Sequence, residues 1–204
     1  MKRIYPFKLS FLLVLALLMG GAAWTGFAPG SSDHNDHNHN PDGGGVLNGK
    51  EMRWSKDYRI QWSDFKGTPE KWSYMDATTE SGIVFSWTCD WGGFHPEVYA
   101  IFDPVNSWVN KRNASQHLLE HERAHFDITE IHARKLRKRF DELGNACRLG
   151  RRGIDNVAQE VYRESARMQE KYDRETSHSK NFKAQKEWLA RIDNELKALE
   201  KWAE

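Results

Sequence analysis

The stretch His117–Ile128, HLLEHERAHFDI, restricts the fold of this chain more than any other. It contains an H-E-x-x-H pattern, His121-Glu122-Arg123-Ala124-His125. At about 100° per residue on an α-helix, Leu118, Glu122, His125, His132, Leu136, Phe140 and Leu143 fall within about 40° of a common line. His121 lies at the margin of that stripe, and Arg123, Asp127, Arg134 and Lys138 fall opposite it. The pattern predicts a helix capped by Asn113 or Ser115 and ended near Gly144. Ionisable groups among Leu and Phe are costly to bury without partners. A metal ion is a partner for both imidazoles, and water on that ion is a partner for the carboxylate.

The spacing suits zinc hydrolysis. Histidines at i and i+4 stack one turn apart, and their ring nitrogens can converge on one zinc ion at about 2.0–2.1 Å. The zinc lowers the pKa of its water to about 7. Glu122 then acts as general base, taking the proton and passing it to the leaving amine. Two histidines do not hold a catalytic zinc, so a third protein ligand is required. The extended H-E-x-x-H-x-x-G-x-x-H motif fails, because Ile128 and Ile131 stand at its Gly and His positions. His132 misses that register by one residue and sits about 10 Å along the axis from His125. It either lines the cleft or is a core histidine. Glu164 on a later helix is one possible ligand. His178, in the polar loop RETSHSKN between two helices, is the better one. Asp127, off the stripe, is expected to form surface pairs with Arg134 or Lys138.

Upstream of the motif the periodicity changes. GIVFSWTCDW alternates, placing Ile83, Phe85, Trp87, Cys89 and Trp91 on one face of a strand. EVYAIFD reads as a second strand, with an edge on which an extended peptide can pair, and DYRIQWSDF as a third. Downstream, a second helix is expected over 154–173 and a third over 182–202. The fold class is therefore α+β: a small, mainly antiparallel sheet followed by three helices, with a zincin-like active-site helix.

Residues 1–28 read as a signal peptide or an N-terminal membrane anchor, with basic Lys2, Arg3 and Lys8 ahead of an apolar run. Residues 29–51 read as a disordered linker rich in Gly and His, whose His34, His37 and His39 either collect metal weakly or are a plain tether. Residues 52–204 form the catalytic domain, placed in the periplasm or secreted. In that oxidising setting Cys89 and Cys147, which lack C-x-x-C spacing, read as a disulfide, with two buried thiols as the alternative. With 30 basic against 29 acidic residues, the chain has no surplus that points to nucleic acid.

The segments IQWSDFKGTP, ATTESGIVFSW, FDPVNSWV, LLEHERAHFDITEIHARKLR and YDRETSHSKNFKAQKEWLARI resemble the bacterial exported domain-of-unknown-function family 922, regarded as secreted zinc-dependent peptidases. The resemblance implies metal roles for His121 and His125 and the base role for Glu122. The family's Tyr-Asp-x-x-Thr-x-His signature matches Tyr172, Asp173, Thr176 and His178, which makes His178 the third zinc ligand. It leaves Tyr172 and Asp173 to orient ligands or support the transition state, a role for which His132, if it lines the cleft, is a further candidate. Ala124 and Ser179 stand where the family usually has Gly. The expected activity is cleavage of a peptide or protein substrate with Zn2+. A zinc-binding or buffering envelope protein without catalysis is the alternative.

Overall fold

The computed structural model describes residues 5–8, 46–47, 51–69, 71 and 73–204. The remainder of the expected leader and linker, with His34, His37 and His39, lies outside the described residues. In chain order the strands are β1 (Tyr5–Lys8), β2 (Val46–Leu47), β3 (Glu51–Arg53), β4 (Ala77–Thr78), β5 (Ser81–Asp90), β6 (Gly93–Phe102) and β7 (Trp108–Val109). The helices are α1 (Gln116–Leu143), α2 (Gly150–Thr176) and α3 (Phe182–Ala198). The architecture is α+β, an antiparallel sheet followed by three helices. No helix among the described residues is long and apolar enough to cross a membrane.

Five strands form one sheet in the order β1-β5-β6-β3-β2, and β4 pairs with β7 in a small second sheet. The β5–β6 hairpin is its centre, in register from Ser81↔Phe102 to Asp90↔Gly93. Ile83 and Phe85 enter the main core, as their alternation predicts. Trp91 does not. The strand ends at Asp90, Trp91 starts the turn, and its side chain is fully exposed. Gly93, at φ 111°, supplies the backbone region that lets the turn close. Four residues of the expected leader pair as β1 along β5, and two of the expected linker pair as β2 with β3.

The expected third strand is absent. Residues 57–65 instead run irregularly through a 3-10 turn at Trp62–Asp64. They lie against α1, where Arg123 Nε donates to the Ile60 carbonyl at 2.8 Å. The edge of β6 is also not open to a peptide near its end. β3 pairs with Ile101 and Phe102, Trp54 N donates to Ala100 O, and Arg137 Nε donates to Val98 O.

Ser115 caps α1, its side chain accepting from Leu118 N. The helix is central rather than half-solvated. Its apolar stripe packs on the sheet and α2 through Leu118, Leu136 and Phe140. The other side, with Ala124, Ile128 and Ile131, packs on α2 and α3. This overturns the surface placement of Asp127 and Arg134, both buried. Asp127 accepts from Trp54 Nε1 at 2.7 Å and from both terminal nitrogens of Arg59. Arg134 pairs with buried Glu130 at 2.8 Å. A helix covered on several sides needs polar partners inside; the chain before β4 supplies them to Asp127, and α1 itself with the C-terminal part of the chain supplies them to Arg134.

Cys89 and Cys147 form a disulfide across 58 residues, tying the hairpin tip to the α1–α2 connection. Loop-closure entropy assigns such a link about 4 kcal/mol. Cys89→Ser/Cys147→Ser protein should show a matching drop in urea-unfolding free energy, whereas an unchanged midpoint would mean the link constrains little.

Candidate metal centre

Four segments converge below the start of α1. His121 and His125 point from α1 toward α2, whose Asp173 meets them. Asp173 Oδ1 lies 3.1 Å from His121 Nε2 and 3.0 Å from His125 Nε2, and the two imidazole nitrogens are 3.2 Å apart. Tetrahedral zinc bonds of about 2.1 Å separate donors by about 3.4 Å. The triangle is close to that edge length, and all three side chains are largely buried. Their donor set of two imidazoles and a carboxylate could hold a metal ion.

The surroundings prepare His125 for this. Its Nδ1 lies 2.6 Å from Gln169 Oε1, while Gln169 Nε2 donates to the His125 carbonyl at 2.9 Å. The amide oxygen can only accept, so His125 Nδ1 carries a proton and Nε2 is the nitrogen that faces the triangle. Thr129 Oγ1, bonded to Ser81 Oγ at 2.7 Å, holds Gln169 from behind. His121 is fixed differently. Its ring stacks on Tyr172 at 4.6 Å, and its buried Nδ1 has no hydrogen-bond partner among the described residues.

The charge balance supports the same reading. Burial raises the Asp173 carboxyl, but His125 and His121 outweigh it and hold the group far below the usual carboxylate range. Burial lowers His121. Burial also opposes a charge on His125, yet Asp173 and Glu122 raise it to about 9. Without metal, a second proton therefore sits on His125, at Nε2 beside an ionised Asp173. A metal ion must displace it. Apparent metal affinity should rise about tenfold per pH unit from near 7 up to about 9, with proton release measurable as buffer-dependent binding enthalpy. Affinity independent of pH across that range would contradict the assignment.

Glu122 is 3% exposed, and its Oε2 accepts from Thr79 Oγ1 at 2.7 Å. It lines two cavities. One, of about 60 Å³, is also bounded by Ser81, Ile83, His125, Ser165 and Asp173. The other, of about 20 Å³, is bounded by Tyr74, Leu118, His121, His178 and Lys180. Glu122 thus lines both recesses beside the triangle.

His178, expected as the third ligand, is not one of the three grouped side chains, although it approaches the same Asp173 oxygen that meets both histidines. Its Nδ1 is 3.5 Å from Asp173 Oδ1, long for a hydrogen bond, and its side chain is 41% exposed. The reason is local. Ser177, His178 and Ser179 occupy positive φ at 50°, 50° and 70°, so the chain turns sharply off α2. Asp173, one turn earlier, is nearer the α1 histidines. Ser179 sits where a side chain is strained. Ser179→Gly should raise unfolding free energy by about 1 kcal/mol, and a loss would show that its side chain is needed. Glu164 is engaged elsewhere, with Arg139. His132 is a core residue. Its Nδ1 meets its own helix at Ile128 O, 2.8 Å away, and burial pulls it down to about 4.

Gln169 and Thr79 were not legible as site residues. Gln169 carried a faint signal, one turn before Asp173 on the same face of α2. Thr79 carried none.

Residues 103–179 match a family model described as bacterial protein of unknown function, DUF922. The matched segment runs from the end of β6 through α1 and α2, so the whole His121–His125–Asp173 triangle and Glu122 lie within it. Thr79 and the β5 wall of the larger cavity lie before the DUF922 segment. No curated protein and no solved structure matches the chain.

Proposed function

We propose that this protein is an exported zinc-dependent peptidase. The observation that carries the reading is the position of Glu122. A buried carboxylate, oriented by Thr79, stands on the same helix as two metal-competent histidines and lines two cavities. A centre that only stores metal has no use for a base held this way.

His121, His125 and Asp173 would hold the ion. Bound there, zinc supplies Lewis acidity that polarises a carbonyl and makes water nucleophilic near neutral pH. Three protein donors leave a coordination position open, as catalysis requires. Glu122 takes the proton from the attacking water and returns it to the leaving amine. Thr79 donates to Oε2, which fixes the carboxylate and leaves Oε1 to receive that proton. Gln169 keeps the proton of His125 on Nδ1. The two recesses that Glu122 lines would take substrate groups flanking the scissile bond.

Two histidines and one carboxylate also suit ferrous oxygenases. The oriented Glu122 favours hydrolysis, and the disulfide-bonded setting favours a metal without redox chemistry. The test is cleavage of a mixed peptide pool by zinc-loaded and chelator-treated protein, read by mass spectrometry. New termini are expected only with zinc. Protein that holds one zinc per chain and cuts nothing would remove the enzyme reading.

A further inference from the structure

The far end of the molecule carries a second feature that the metal centre does not use. The disulfide joins the β5–β6 tip to the short 3-10 turn Ala146–Leu149 ahead of α2. Trp91 projects from that tip with relative exposure of 107%, so it touches almost nothing. The turn beside it exposes Leu149, and Leu143 is exposed at the end of α1. Arg148, Arg151 and Arg152 are exposed on the same connection.

Nothing in the fold calls for this composition. A fully exposed Trp gains no burial energy. The start of α2 has no acidic residue in its first turn and two arginines instead, against the preference of the helix dipole. Among the described residues Arg148 and Arg152 are not ion-paired. Asp90 is engaged with His95 and the Gly92 amide, Glu142 with Lys138, and Asp141 with Lys201. The tip is also rigid, because a tight turn and the disulfide both hold it.

We propose that this tip is a docking surface for an anionic lipid membrane. The Trp91 ring and Leu149 enter the boundary between headgroups and acyl chains, where indole is favoured. Arg148 and Arg152 meet lipid phosphates, each adding to attraction toward a negatively charged surface. The placement agrees: on α1 both cavities are lined by residues of the first half of the helix, and the tip lies beside its far end. From His125 to Leu143 the helix rises about 27 Å, so a membrane on the tip leaves the metal centre facing away.

The test is flotation of the full chain with phosphatidylglycerol-containing vesicles and with pure phosphatidylcholine vesicles. The apolar N-terminal residues contribute equally to every variant, so the readout is the difference from wild type. Trp91→Ser, and Arg148→Gln/Arg152→Gln together, should each weaken binding to the anionic vesicles about tenfold or more. Trp91→Phe should restore most of it. Metal content and the mapped disulfide should be unchanged in all three, since these side chains contact neither. Wild-type binding should also fall with added salt. Equal flotation of wild type and both loss variants would overturn the proposal. So would wild-type protein that prefers phosphatidylcholine, or that binds single-stranded RNA and ignores both vesicles.

Discussion

Glu122→Gln protein should bind zinc as tightly as wild type and lose peptide hydrolysis by about 100-fold to 10,000-fold, the range assigned to a positioned acid–base group. Glutamine keeps the shape of the side chain and an oxygen to accept from Thr79 Oγ1, now at 2.7 Å from Oε2. It cannot take a proton from water. The substitution also separates the two readings of the site. A zinc-buffering protein would show the same metal affinity before and after the change and no hydrolysis in either form. If Glu122→Gln retains full activity, Glu122 is not the base. Thr79→Val should lower turnover less severely, and Thr79→Ser should restore it.

The second large effect concerns the third ligand. Asp173→Ala should weaken zinc binding by more than about 100-fold, beyond the 10–100-fold typical of residues that only orient ligands. Asp173→Asn, which keeps the volume and removes the charge, should fall nearly as far. His178→Ala should stay within about tenfold of wild type, because its Nδ1 reaches Asp173 Oδ1 only at 3.5 Å and lies outside the triangle. Equilibrium titration against a fluorescent zinc chelator measures all three. The opposite order, with His178→Ala losing the metal and Asp173→Ala keeping it, would place His178 in the coordination shell.

The residues differ in how openly the sequence announced their places. The α1 pattern fixed a helix with His121, Glu122 and His125 inward because helical periodicity depends only on neighbours three and four residues apart. The β5–β6 pairing was legible for the same reason at period two. Asp127 and Arg134 were misplaced because a single-stripe reading assumes that the other side of a helix meets water. In α1 that side meets α3 and the chain at Trp54 and Arg59. Residues 57–65 carry strand-forming side chains, but their partners are on a helix, and propensity does not report partners. Choosing between Asp173 and His178 turned on three consecutive positive-φ residues. Nothing in Ser-His-Ser advertises that backbone. Gln169 and Thr79 reach the site from α2 and from the link between β4 and β5, at sequence distances where local patterns are silent.

The central claim is that His121, His125 and Asp173 together hold a zinc ion beside Glu122. Anomalous diffraction at the zinc edge from crystals of the zinc-loaded protein tests it most directly. The account predicts one strong peak per chain, about 2.0–2.2 Å from His121 Nε2, His125 Nε2 and an Asp173 carboxylate oxygen, with His178 outside bonding distance. A peak held by His178 with Asp173 turned away, or no peak inside the triangle, would contradict it.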